Sequence, residues 1–176
     1  YWSPFTSKVA TINAVINSAF SMQKYSNDSY KISIINAMGE WDKFSKNIEN
    51  KKIKLLNLND KKLLNKVDLE GYFKSRFIFI YIFIKSFFSL KKILKINRPN
   101  YLIIHLITSL PLFLFFIKKF NTKLILRISG LPKMNLVRKT FWKMALKNVY
   151  KVTCPTEATK KDLIKLKICE SKKIHV

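Results

Sequence analysis

The sequence predicts an α/β fold built on a parallel sheet with helices on both faces. Three observations carry that expectation. Short apolar runs alternate with segments of helical periodicity all along the chain. The connections between them are short, as in repeated strand–helix–strand units. The runs "YLIIHLI", "TKLILRIS" and "VYKVTCP" are apolar on both faces, which marks strands covered from two sides.

The elements follow in order. "SKVATINAVINSAFSMQKYS" sets Val9, Ile12, Ile16, Ala19 and Phe20 on one face of a helix, with Ser7 as its N-cap and Pro4 delaying its start. "YKISIINAMGEW" reads as a strand ending at Gly39. A polar stretch from Asp42 to Asn50 leads to a second strand, "IKLLNL", and Lys61–Leu69 reads as a weak helix. "YFKSRFIFIYIFIKSFFSLKKILKINRP" raises the question of a membrane span. Its apolar run, Phe77 to Leu90 with Lys85 inside it, falls short of the ~20 residues a span needs. A buried or membrane-surface helix ending before Pro99 fits better.

"YLIIHLI" is the next strand, Thr108-Ser109 and Pro111 make a turn, and "PLFLFFIKKF" is a short helix. "TKLILRIS" leads into the helix "NLVRKTFWKMALKN", and "VYKVTCP" into the helix "TEATKKDLIKLK". Thr156 caps that last helix, without a capping box because Thr159 stands where Glu or Gln is needed. "KKIHV" opens a final strand. A sheet of about five strands is the expected size.

The chain has 176 residues, 48% of them apolar, which suits one packed domain or part of a larger protein. Tyr1 starts inside what reads as a motif and Val176 ends on a strand, so the chain is expected to be a piece of a longer protein. Its net charge of +24 comes from 34 basic and 10 acidic residues. Nucleic acid or an anionic membrane surface are the partners such charge implies. Coding bias is the other reading. All but four of the basic residues (Arg76, Arg98, Arg127 and Arg138) are Lys, and Ile, Asn and Phe abound as an AT-rich gene dictates. Placement of the charge therefore counts for more than its sum. Cys154 and Cys169 have no Cys or His partner at metal-ligand spacing.

In parallel sheets ligands bind beyond the carboxyl ends of the strands. The residues there include Pro4, Phe5, Glu40, Trp41, His105, Thr108, Arg127, Ser129, Gly130, Thr156 and Glu157, with Lys8 following the first turn. Glu40 and His105 are the candidate catalytic groups, and the others are candidates to line an acceptor cleft. Ser129-Gly130 is a small-residue turn through which a ligand can approach backbone N–H groups. The same residues also have structural readings: a core histidine, turn glycines, a helix cap. Arg138, Lys139, Trp142 and Lys143 share one helix, whose basic and aromatic character suits either a membrane surface or a solvated face. Walker, Gly-x-Ser-x-Gly, Gly-x-Gly-x-x-Gly and His-Glu-x-x-His patterns are absent from the sequence, and so are signatures of zinc fingers and RNA-binding motifs.

Four stretches together resemble the N-terminal half of a retaining glycosyltransferase of family 4 with the GT-B fold: "YWSPFTSKVATINAVINSAFS", "RPNYLIIHLITSLP", "LILRISGLPKMN" and "VYKVTCPTEATKKDLIKL…KKIHV". The resemblance covers nearly all 176 residues. It departs from the family at Ser3-Pro4-Phe5-Thr6, where many members carry a glycine pair, and at Ser129, where His is usual. It implies a Rossmann-like, acceptor-side domain over residues 1–176, lacking its first strand and the C-terminal donor-binding domain. The implied activity is transfer of a sugar from a nucleotide-sugar to a hydroxyl in cell-surface polysaccharide or glycolipid synthesis. The nucleotide-sugar is a substrate, so neither a cofactor nor a metal is expected. The implied partners are the nucleotide-sugar donor, a glycan or lipid-linked acceptor and the inner, anionic face of the cell membrane, with the chain peripheral on its cytoplasmic side. A basic nucleic-acid-binding domain and an integral membrane protein are the alternatives.

Overall fold

The computed structural model describes residues 1–6, 10–27, 29–59 and 72–176, with side chains in the last stretch from 77 onward. The expected cap Ser7, Val9, the candidate cleft residue Lys8 and the weak helix over Lys61–Leu69 lie outside the described residues. The chain divides into two units, Tyr1–Lys91 and Lys92–Val176.

In the first unit, helix α1 spans Thr11–Tyr25 and buries Ile12, Val15, Ile16 and Ala19. Intervals of three and four residues put these side chains on one stripe. Strands β1 (Ser33–Asn36) and β2 (Lys54–Asn57) pair in parallel, Ile34 against Leu55 and Ile35 against Leu56. Trp2 forms a parallel bridge to Ile35, whose N–H donates to the Tyr1 carbonyl at 2.9 Å. Trp2 thus pairs with β1 in parallel, and α1 lies between them in the chain. The polar stretch between β1 and β2 is helical, a 3-10 turn at Asp42–Phe44 followed by α2 (Ser45–Asn50). Ile48 is its only buried anchor, too little periodicity to announce a helix. The stripe of α1 meets Ile34, Trp41, Ile48 and Ile53 to form the core, each such burial contributing about 1.5–3 kcal/mol.

Helix α3, Tyr72–Ile96, carries the chain from the first unit into the second. Ile78, Ile82, Ser86, Leu90 and Leu94 recur every four residues and are all buried. Among the described residues no helix is long and apolar enough to cross a membrane, as the length of the Phe77–Leu90 run implies.

The second unit is a four-stranded parallel sheet in the order β3-β4-β5-β6. Its elements are β3 (Tyr101–Ile104), α4 (Ser109–Ile117), β4 (Lys123–Arg127), α5 (Leu136–Ala145), β5 (Lys151–Thr153), α6 (Glu157–Lys165) and β6 (Ile174–His175). The strands stand in chain order, each joined to the next by a helix. Burial alternates along them. Leu102, Leu124, Ile104, Leu126, Val152 and Ile174 are buried, while Ile103, Ile125 and Lys151 between them are half-buried. The fold is thus α/β and Rossmann-like, with parallel sheets of two and four strands flanked by helices.

Candidate functional site

The register of the second sheet assembles a polar row at its carboxyl edge. Ile104 pairs with Leu126, Leu126 with Val152 and Val152 with Ile174. One step on, Arg127 pairs with Thr153 and Thr153 with His175. The same step beyond β3 sets His105 beside Arg127. In-register residues of a parallel sheet share a face, so His105, Arg127, Thr153 and His175 form one row above an entirely apolar one. Backbone bonds continue the ladder past the strands: Ile128 N–H donates to the Thr153 carbonyl at 2.8 Å, and Cys154 N–H to the His175 carbonyl at 3.0 Å.

His105 is 2% exposed, and neither ring nitrogen has a hydrogen-bond partner among the described residues. Burial, assisted by the positive charge of Arg127, pulls its pKa down to about 4. The imidazole is therefore neutral at physiological pH, with one donor and one acceptor nitrogen. Leu106, directly after it, has a φ of 57°. A branched residue pays for that left-handed conformation in strain, which collects at sites the surroundings hold fixed.

The other groups expected at this edge lie close in sequence and differ in use. Ser129 and Gly130 are exposed just past β4. A Cβ placed on Gly130 meets no atom within 4 Å, so that glycine is not required by crowding. Thr108 precedes α4 without a side-chain capping bond. Thr156 caps α6, its hydroxyl accepting from Thr159 N–H at 3.1 Å, as its position implies. Glu157 is exposed and pairs with Lys160 at 3.5 Å, an arrangement worth little in water.

The loop after β1, in the first unit, is organised differently. Asn36 is buried, and its amide donates to Asp42 Oδ1 at 2.7 Å and Asn57 Oδ1 at 2.8 Å. Its carbonyl oxygen accepts from Gly39 N–H at 3.0 Å and Trp41 N–H at 3.2 Å. Glu40 turns back into the same loop, Oε1 accepting from Ala37 N–H at 3.0 Å and Oε2 from Met38 N–H at 2.7 Å. Burial raises its pKa to about 7 even though those backbone amides pull the other way. Trp41 is fully buried with its indole nitrogen unpartnered among the described residues, and its ring meets Phe5 edge-on at 4.9 Å. Pro4 is buried as well. Pro4 and Trp41 therefore pack the loop in this conformation and offer no surface to a ligand; only Phe5 is partly open.

On α5 the expected membrane-facing residues divide. Trp142 is buried, with the Arg138 guanidinium 5.5 Å from its ring centre. Arg138 also donates to the Lys133 carbonyl at 3.1 Å. Lys139 and Lys143 are exposed. The exposed large apolar residues of this helix are Leu136, Val137 and Met144 instead.

Sequence reasoning missed Thr153, His175 and Asn36. Equal numbering of strand positions back from each carboxyl end finds the first two, since it is the register that gathers them. Asn36 carries a weaker signal, a lone amide closing an apolar strand before a glycine.

The fold and the edge define the chain as a Rossmann-like α/β protein whose second sheet ends in a His–Arg–Thr–His row. No protein-family model, curated protein or solved structure matches it.

Proposed function

We propose that the chain is the acceptor-side half of a GT-B glycosyltransferase, moving a sugar from a nucleotide-sugar donor to a hydroxyl acceptor in cell-surface polysaccharide or glycolipid assembly. The observation that carries this reading is His105, buried at the carboxyl edge of β3 with both ring nitrogens unpartnered and Arg127 beside it. A buried polar group left without a partner costs about 1–3 kcal/mol, a cost that a sheet edge bears when a ligand completes the bonding. A neutral imidazole can accept from one hydroxyl and donate to another oxygen, which suits a sugar or polyol. The Arg127 guanidinium suits an anionic group on the same ligand. Ordered resemblance over four stretches supports the class.

Of the two candidate catalytic groups, His105 keeps its place in this reading. Glu40 is assigned to holding its loop, because backbone amides occupy both carboxylate oxygens. Thr153 and His175 join Arg127 as candidate ligand contacts. The donor belongs mainly to a second domain of the kind the resemblance implies, and the membrane surface is the expected place of work.

The test is transfer of label from a panel of nucleotide-sugars to a lipid or glycan acceptor by the full-length protein. His105→Leu and Arg127→Gln each lower turnover at least tenfold while the circular dichroism stays unchanged. Wild-type turnover in His105→Leu, or no transfer from any nucleotide-sugar, overturns the assignment.

A further inference from the structure

Helix α3 has a second apolar face. Opposite its buried residues, Phe77, Ile80, Ile84 and Phe88 are 71%, 56%, 62% and 75% exposed. Their spacing of three, four and four residues makes a single stripe, about 16 Å long at 1.5 Å per residue. Large apolar side chains are ordinarily scattered over a surface; a continuous stripe marks a docking face.

Charge says what docks there. Lys85, Lys92 and Lys95 are exposed on the same helix and Lys91 is half-buried. Lys85 Nζ lies 5.8 Å from the Tyr81 ring centre and Lys91 Nζ 5.7 Å from that of Phe87, so lysine stems lie along the aromatic rings. Residues 71–156 hold seventeen Lys and Arg and no Asp or Glu, and all of α3 falls inside that stretch. Uniform coding bias towards Lys does not by itself remove carboxylates. A second copy of the chain is a poor occupant, because facing stripes would bring lysines together with no carboxylate to pair with. A surface that is apolar within and anionic at its rim fits both features.

We propose that the Phe77–Phe88 stripe of α3 lies in the headgroup region of an anionic lipid bilayer. The side chains of Phe77, Ile80, Ile84 and Phe88 enter the acyl boundary, and Lys85, Lys92 and Lys95 reach outward to lipid phosphates. This deepens the membrane-surface reading above and does not depend on sugar transfer. The helix lies along the membrane and does not cross it.

The experiment is co-sedimentation of the full-length protein with vesicles of phosphatidylcholine alone or mixed with phosphatidylglycerol. Binding is expected to the mixed vesicles only, and to weaken with salt. Ile84→Gln with Phe88→Gln replaces exposed side chains, so the fold is kept, and lowers the partition at least tenfold. Lys85→Gln and Lys92→Gln each lower it about fivefold, the effect of about 1 kcal/mol per cation. Undiminished binding of the Ile84→Gln, Phe88→Gln variant overturns the proposal, as does equal binding to neutral vesicles. Two other outcomes also overturn it. One is a dimer in sedimentation equilibrium that this variant dissolves, which assigns the stripe to a second copy. The other is salt-sensitive binding to a DNA duplex with none to vesicles, which assigns the charge to nucleic acid. Loss of vesicle binding with transfer to a soluble acceptor intact separates this proposal from the assignment of activity.

Discussion

The loop after β1 and the loop after β3 both stand at carboxyl ends of parallel strands, and they treat buried polar groups in opposite ways. After β1, Asn36 and Glu40 engage four backbone amides and two neighbouring side chains. After β3, His105 is buried to the same degree with neither nitrogen engaged among the described residues. In the first loop Asn36 and Glu40 specify backbone conformation, although the Trp41 indole nitrogen there is unpartnered among the described residues. The second loop places a neutral donor–acceptor pair next to a guanidinium and leaves it unused by the fold. Polarity at a strand end thus has two physical meanings, and the hydrogen-bond partners tell them apart where burial does not.

The widest test of that contrast removes each group in turn. Asn36→Ala strands the Gly39 and Trp41 amides and frees two side-chain partners. At about 1–3 kcal/mol for each buried group left unpaired, the expected loss is about 3–5 kcal/mol. Urea unfolding in a Trp142→Phe background reads it from the first unit, where Trp2 and Trp41 remain. His105→Leu removes no bond and relieves the cost of an unpartnered buried imidazole, so at pH 8 it should not destabilise and should gain up to about 1–3 kcal/mol. A loss below about 1 kcal/mol in Asn36→Ala erases the contrast.

Acidity sharpens it further, because the two groups are linked to pH with opposite signs. His105 has a folded pKa of about 4 against an ordinary 6.5. The folded state resists the proton, so this contribution is whole above pH 6.5 and is lost as pH falls through 4. Glu40 has a folded pKa of about 7 against an ordinary 4.5. The folded state favours its proton, so that contribution is whole below pH 4.5 and is lost as pH rises through 7. Each limb amounts to about 3 kcal/mol. Hydrogen exchange of the Leu126 and Ile34 amides reads the second and first units separately. His105→Leu should flatten the acid limb in the second unit alone, and Glu40→Gln the neutral limb in the first. A flat profile in either wild-type unit means that the group is hydrated or partnered in solution.

The alternation of helix and strand was legible in the sequence because buried parallel strands are apolar on both faces and their crossover helices are periodic. The expected sheet of about five strands is instead a sheet of two and a sheet of four among the described residues, because which strands pair is not written in any one strand. The short helices between β1 and β2 were not legible, since one buried isoleucine makes no period. At the site, position at a strand end identified His105 and Arg127. It also nominated Trp41 and Pro4, which pack inward, while the basic, aromatic character of its helix nominated Trp142, which is buried with Arg138 against its ring. Sequence shows that an aromatic residue is present and not which way its ring faces. Thr153 and His175 stayed hidden because register is a property of paired strands, and neither strand alone announces it.

The smallest effect concerns two of the three glycines, Gly39 and Gly130, which the sequence presents as equal turn formers. Gly39 has a φ of 90°, a backbone conformation that L side chains rarely adopt, and its N–H is fixed to Asn36. Gly39→Ala therefore forces strain into the loop that Asn36 and Glu40 hold, an expected loss of about 1–2 kcal/mol. Gly130 has no atom within 4 Å of where a Cβ would stand, and it lies on the exposed run past Arg127. Gly130→Ala should leave urea unfolding within about 0.5 kcal/mol of wild type, or stabilise slightly by stiffening the unfolded chain. If a ligand's oxygen comes close to the backbone there, the added methyl group raises the KM for the acceptor while stability stays put. An unchanged KM in Gly130→Ala would confine ligand contact to the His105–Arg127 row, and a stability loss equal to that of Gly39→Ala would mean that the second loop is as tightly specified as the first.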